Sequence, residues 1–281
     1  MFENTDNRLL PAFLIIGGIK CSSSSFYRYI CEHPKVLPCR EKEPGFFSFH
    51  TLPRLQAGFE DYCKLFPKQD EVGELQFNWA DLDAKDVVSQ EIFAKNKQNG
   101  IDYISCEATA STYFKARPGA VKTVLPDAKL IMLVRNPSAR FISHYRMLQR
   151  FCQEGRNIAP VPELSVFVDD EIRRFRKQEN TRILHQGLYV SFLRKWKAVF
   201  GKERLLVLRS ELFNKPDSAQ QQMSQVTHFL NIAEHDFKDV LKQKFNQAKP
   251  YSPEQAVVEK LDEFYARANA QLKQEFDVAL A

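Results

Sequence analysis

The segment Pro11-Ala-Phe-Leu-Ile-Ile-Gly-Gly-Ile-Lys-Cys-Ser-Ser-Ser-Ser-Phe-Tyr-Arg-Tyr-Ile30 constrains the fold more than any other part of the chain. An apolar run reads as a buried strand, a turn of small residues with one lysine follows, and an amphipathic helical pattern comes next. Such a turn suits an anion. Small residues let backbone N–H groups converge, serine hydroxyls add donors, the start of the helix adds positive potential, and Lys20 supplies a full charge. The same pattern also fits an ordinary strand-to-helix turn of an α/β fold. It is not a Walker A loop, which places its lysine at the end of the loop before Ser or Thr; here Lys20 comes early.

A chain of 281 residues, 44% apolar with 23 Phe and 9 Tyr, can bury one sizeable core, so residues 1–281 are expected to form one domain. No apolar run reaches the ~18 residues that would suggest a membrane span. The first residues, Met1-Phe-Glu-Asn-Thr-Asp-Asn7, show neither a basic nor an apolar leader region, and a cytoplasmic location is expected. The net charge of +5 is spread out, which suits anionic ligands without forming a nucleic-acid stripe. Its densest patch, Arg173, Arg174, Arg176 and Lys177, follows Asp169-Asp170-Glu171 and reads as a solvated helix face. Six cysteines form neither a CxxC pair nor a zinc-spaced cluster, so no metal site is expected. Reduced thiols are the default, although an even count permits disulfides. No pattern specifies an oligomeric state.

Strand patterns recur at Phe13–Ile16, Tyr103–Cys106, Leu130–Val134 and Leu205–Leu208. Helical periodicity lies near 24–32, 59–66, 86–98, 137–150, 163–178, 187–200, 216–230 and 254–275. The first helix should end before His33-Pro34, because proline disfavours helical geometry in the residue ahead of it. The alternation implies an α/β fold: a three-layer sandwich with a central, mostly parallel sheet flanked by helices, of the P-loop-like nucleotide-binding kind. Ligands of such sheets bind beyond the carboxyl ends of the strands, where Lys20 would stand. Residues 49–86 have a weaker pattern and read as an insertion, the sort of segment that forms lids and acceptor sites.

A second anion site is expected at Ala128-Lys-Leu-Ile-Met-Leu-Val-Arg-Asn-Pro-Ser-Ala-Arg-Phe-Ile-Ser-His-Tyr-Arg146. A buried strand delivers Arg135 to its end, and Asn136-Pro137 then starts a helix with Asn as N-cap and Pro in the first turn. Arg140 and Ser143 fall on that helix. Arginine offers a planar charged fork and serine a neutral donor, a combination suited to phosphate.

Gly17-Gly-Ile-Lys-Cys-Ser-Ser-Ser-Ser-Phe-Tyr27 resembles the 5′-phosphosulfate loop of sulfotransferases, usually Gly-x-x-Lys-x-Gly-Thr-Thr/Ser-x-Leu-Tyr, with Ser22 where the family has glycine. Arg135-x7-Ser143 is similar to that family's 3′-phosphate element. Arg40-Glu-Lys-Glu-Pro-Gly-Phe-Phe47 and Glu107-Ala-Thr-Ala-Ser-Thr-Tyr113 resemble segments of the glycosaminoglycan branch, with Ala110 where proline is usual. Gly187–Trp196, Leu205–Glu211, Tyr251-Ser-Pro-Glu254 and Phe264–Leu272 resemble later family elements.

The resemblance implies sulfuryl transfer from 3′-phosphoadenosine 5′-phosphosulfate (PAPS), leaving 3′-phosphoadenosine 5′-phosphate (PAP), to a hydroxyl or amine of a carbohydrate or other small-molecule acceptor. It assigns Lys20 to the leaving group and Cys21, Ser22, Ser23, Ser24 and Ser25 to the 5′-phosphate. Arg135 and Ser143 go to the 3′-phosphate, and Lys249 to a basic loop over the nucleotide. Glu43 is the implied general base, with Glu41, His50, His144 and His185 as competitors. Arg209 and Glu211 could be structural or acceptor-facing. The alternatives are a non-catalytic nucleotide- or polysaccharide-binding protein of the same fold, hinted at by Ser22, and a nucleotide kinase.

Overall fold

The strand Pro11–Gly17 (β1) is apolar almost throughout because it runs through the centre of a parallel sheet covered on both faces. The computed structural model describes residues 2–48, 50–68, 74–80, 90–96, 101–243 and 251–280. In the sheet, β1 pairs with Ile104–Ala108 (β5) on one side and Lys129–Val134 (β6) on the other. Val36–Leu37 (β2) and Leu205–Arg209 (β7) are the edges, giving the order β2-β5-β1-β6-β7. Phe13–Ile16 and Leu130–Val134 are buried, whereas Leu206, Val207 and Arg209 on the β7 edge are only half-buried. A separate antiparallel pair joins Glu74–Ala80 (β3) to Gln90–Asn96 (β4).

The helices are Ser23–Cys31 (α1), Leu52–Lys64 (α2), Thr112–Lys115 (α3), Pro118–Val124 (α4), Pro137–Gln153 (α5), Leu164–Arg176 (α6), Tyr189–Phe200 (α7), Pro216–Leu230 (α8), Lys238–Leu241 (α9) and Gln255–Phe276 (α10). They form two packed groups. α1 packs on β1, β2, β5 and α9, with α8 against α9 and β7; α7 packs with α3, α4, α10 and β7. These are the outer layers of the expected sandwich. A second apolar cluster, including Phe141, Phe167, Leu261 and Tyr265, joins α5, α6 and α10.

The expected strands at 13–16, 103–106, 130–134 and 205–208 all appear, with ends displaced by up to two residues. The helix expected over 86–98 is replaced at its described residues by strand β4, Gln90–Asn96, held by an antiparallel partner whose register sets Phe77 opposite Phe93, and the rest of that range lies outside the described residues. A short amphipathic stretch fits either period, and the long-range ladder decides between them. The helix expected at 59–66 begins earlier, at Leu52, with proline in its first turn. α1 ends at Cys31, ahead of His33-Pro34 as expected. β2, α3, α4 and α9 are too short to show a period and were not expected.

All six cysteines are free thiols. No helix among the described residues is long and apolar enough to cross a membrane. The Arg173–Lys177 patch is the solvated face expected, with Arg174 Nε 2.7 Å from Asp170 Oδ2 and Arg173 paired to the same carboxylate.

Candidate functional site

The turn after β1 is shaped by steric need. A Cβ on Gly17 would lie 2.4 Å from Tyr113 Cδ1 and 3.0 Å from the Ala110 carbonyl oxygen. Tyr113 cannot give way: it is fully buried, and its hydroxyl donates to the Gln186 carbonyl at 2.8 Å. Gly18 N–H donates to the Leu133 carbonyl at 2.8 Å, tying the turn to β6. Lys20 and Ser22 then both take left-handed backbone conformations, at φ 63° and 61°.

Ser22 is the residue before α1, and its side chain makes no capping bond, which leaves the first-turn N–H groups without that competitor for an anion. Its φ explains the family's glycine at this position, since glycine adopts a left-handed conformation without steric cost. Serine tolerates it at about 1 kcal/mol and its side chain is exposed, so the loop keeps its shape. Ser23 and Ser25 are buried and Ser24 half-buried in the first turn of α1. Cys21 differs from its neighbours. Its thiol is buried 3.5 Å from the Tyr189 hydroxyl, and burial pushes it up to about 11, so it anchors the loop as a neutral group.

β6 ends beside this turn. Arg135 Nη1 donates to the Lys20 carbonyl at 3.5 Å, linking the two expected anion elements. Asn136 caps α5 by accepting the Ala139 N–H at 2.9 Å, and its own N–H donates to Glu211 Oε1 at 2.6 Å. Glu211 therefore has a structural role, bracing the strand-to-helix corner from beyond β7. Ser143 is half-buried two turns along α5, on the helical face shared with Asn136 and Arg140.

Arg140, which the sequence reading left without a role, is fully buried. It donates to the Ile183 carbonyl at 2.7 Å and lies 3.3 Å from His144 Nδ1, while Glu171 accepts the N–H groups of residues 182, 183 and 184. Burial, then the charges of Arg140, Lys20 and Arg182, hold His144 well below the usual histidine range. It is a neutral acceptor for Arg140 and a poor candidate for a base. Thr181 engages His185 at 2.8 Å, and His50 donates to the Phe46 carbonyl at 2.5 Å.

Glu43 sits on a strap against the end of β5. Its backbone is left-handed at φ 59°, its N–H donates to the Ala108 carbonyl at 3.1 Å, Oε2 accepts the Ala110 N–H at 2.8 Å, and Oε1 pairs with Lys42 Nζ at 2.9 Å. Glu41 is exposed. Behind the strap, Glu107 is buried and accepts hydroxyls from Tyr62 and Thr109 at 2.9 and 2.6 Å. The structure thus gathers Lys20, Glu43 and Arg135 at the carboxyl ends of the adjacent strands β1, β5 and β6, on either side of the point where the chain crosses from one half of the sheet to the other. Lys249 lies outside the described residues. A cavity of about 350 Å³ bordered by Pro11, Ile104 and Lys129 opens at the opposite, amino-terminal ends of these strands, away from the assembled charges.

A family model described as the Sulfotransferase family matches residues 11–236, which include the loop, the strap and Arg135. Carbohydrate sulfotransferase 15 from Mus musculus is 27% identical over 322 aligned positions, covering 96% of this chain and 54% of that protein. Bifunctional heparan sulfate N-deacetylase/N-sulfotransferase 4 from Mus musculus is 22% identical, covering 80% of this chain and 23% of its own length. The chain therefore spans about half the length of the first relative and about a quarter of the second. A crystallised sulfotransferase from Alicyclobacillus acidocaldarius shares the fold with a TM-score of 0.62 at 21% identity, over 96% of this chain and 97% of that one. With the family match extending over most of its length and containing the Lys20 loop, the Glu43 strap and Arg135, this chain belongs to the sulfotransferase family.

Proposed function

We propose that this chain, working as one domain, transfers the sulfuryl group of PAPS to a hydroxyl or amine of a carbohydrate. The observation that carries this reading is the meeting of the Lys20 loop with Arg135 at the ends of neighbouring strands, two cationic elements suited to the two phosphate ends of one nucleotide. Backbone N–H groups from Ser22 to Ser25 and their hydroxyls suit the 5′-phosphate, with Cys21 holding the turn from below. Arg135 and Ser143 are assigned to the 3′-phosphate, and Lys249 to a closing basic loop on sequence alone. The names of the relatives support a carbohydrate acceptor.

In the transfer, the acceptor oxygen or nitrogen forms a bond to sulfur while the bond from sulfur to the 5′-phosphate oxygen breaks. The electron pair leaves on that oxygen, where the Lys20 ammonium offsets the charge, and the acceptor proton passes to Glu43. Positioning and charge stabilisation carry most of such a reaction.

Calorimetry with PAP and transfer of radiolabelled sulfate to a panel of glycans test the reading. Lys20→Ala should lower kcat by about 10²–10³ with PAP still bound, and Arg135→Ala should weaken PAP binding by about tenfold or more. Undiminished transfer in both variants would refute it. PAP binding without transfer to any acceptor favours a non-catalytic binder instead, and magnesium-dependent ATP turnover a nucleotide kinase.

A further inference from the structure

The strap that carries Glu43 is tied down by a buried carboxyl that the reaction does not consume. Glu107, near the end of β5, is 2% exposed and takes hydroxyl hydrogen bonds from Tyr62 of α2 and from Thr109. Each donor also reaches the strap. Thr109 Oγ1 accepts the Gly45 N–H at 3.2 Å. The Tyr62 ring stacks on Phe46, with centroids 4.0 Å apart and planes 9° from parallel, and meets Phe47 edge-on at 5.6 Å. Beyond Thr109, the Ala110 N–H holds Glu43 Oε2. Glu107 makes no salt bridge with Lys or Arg among the described residues, although a buried carboxylate without a cation is costly.

We propose that Glu107 is a positioning residue for sulfuryl transfer: by accepting both hydroxyls at once it fixes the strap and aims the Glu43 carboxylate at the acceptor. The proposal rests on the reading of Glu43 as the base. The ionised carboxyl accepts both hydroxyls, one on each oxygen; once protonated, one oxygen carries a proton of its own to donate and accepts only weakly, so the hydroxyl bonded to it must turn or loosen. The titratable and charged groups facing Glu107 are Tyr62 from α2, Cys39 from the segment after β2, and Glu43 from the strap, with Lys42 paired beyond it. Burial, ahead of every other cause, pushes Tyr62 and Cys39 above their usual ranges, so both stay neutral, while it raises Glu107 only to about 7. Of Tyr62, Cys39 and Glu107, it is Glu107 whose charge changes near neutrality.

The test uses the full chain with Glu107→Gln, measuring kcat, acceptor KM and the PAP Kd across neutral pH. The amide must offer a donor to one of the hydroxyls at every pH, which mimics the protonated state. The expected result is a kcat about ten- to a hundredfold lower on the alkaline side, loss of the wild-type acid limb near pH 7, and an unchanged PAP Kd. Thr109→Ser, which keeps the hydroxyl, should retain kcat, and Thr109→Val should lower it. An unaltered kcat–pH profile in Glu107→Gln overturns the proposal, as does a parallel loss of PAP binding and kcat, which would mean general loosening. Glu43→Gln, run alongside, separates the two readings. If it stays active, the base assignment falls and this proposal with it; if it is inactive while Glu107→Gln keeps the wild-type profile, only the positioning role falls.

Discussion

Glu107→Gln should also change how stability depends on pH. Burial raises the Glu107 carboxyl from 4.5 to about 7, only partly opposed by the hydrogen bonds from Thr109 and Tyr62. Between those two values the native protein keeps a proton that the unfolded chain has released, so wild-type stability falls as pH rises through this window. The full difference corresponds to about 3 kcal/mol, or roughly 5 °C in Tm for a chain of this size. At the acid end Glu107 is neutral in both states, and glutamine of similar shape should match it to within about 1 kcal/mol. On the alkaline side the variant should be the more stable protein by up to ~3 kcal/mol, the pattern of a buried charge kept for function at a cost in stability. Urea denaturation of both proteins at matched pH values reads the effect as a difference. The shifts of other carboxylates such as Asp170 and Glu275, held low by Arg173 and Arg194, are common to both proteins and cancel. A stability difference that stays constant across the window would show that Glu107 does not titrate as its surroundings demand.

Gly17→Ala drives a methyl into the buried Tyr113 ring and should destabilise the chain by about 3 kcal/mol or more in chemical denaturation; a loss under about 1 kcal/mol would contradict the packing at this turn. Ser22→Gly relieves the left-handed serine and should raise stability by about 0.5–1 kcal/mol with PAP affinity retained, whereas weaker PAP binding would reveal a direct role for the hydroxyl. His144 should remain neutral in ring-nitrogen NMR well below pH 6.5, because burial and three nearby cations disfavour its charged form. Its contribution to stability is therefore lost as pH falls below the unfolded-state value, and an ordinary titration near 6.5 would refute this placement.

The proposed donor side of the site was legible in the sequence because its pattern is local. Lys20 and the serines share one turn, and Arg135, Asn136 and Pro137 share one strand-to-helix corner, so short-range pattern carried both elements and most of the sheet. Ser22 also belongs to this local class, since its unusual presence follows from a backbone angle that a glycine would ordinarily adopt. The helix expected over 86–98 failed at residues 90–96 for the opposite reason. The strand there exists through a partner at residues 74–80, and a ladder of that kind leaves no unambiguous period in a short stretch.

Sequence was thus sufficient for the α/β class and for the positions of four strands of the parallel sheet along the chain, and it marked the two elements proposed to hold the nucleotide, because these patterns rest on residues close together in the chain. Folding added what depends on distant residues. It set Lys20 beside Arg135 across 115 positions, turned the Cys21 thiol inward onto Tyr189, neutralised His144 beside buried Arg140, and joined Tyr62 to Glu107 behind the Glu43 strap. Burial and hydrogen-bond partners set the protonation and aim of these groups, and neither exists until the strands are packed.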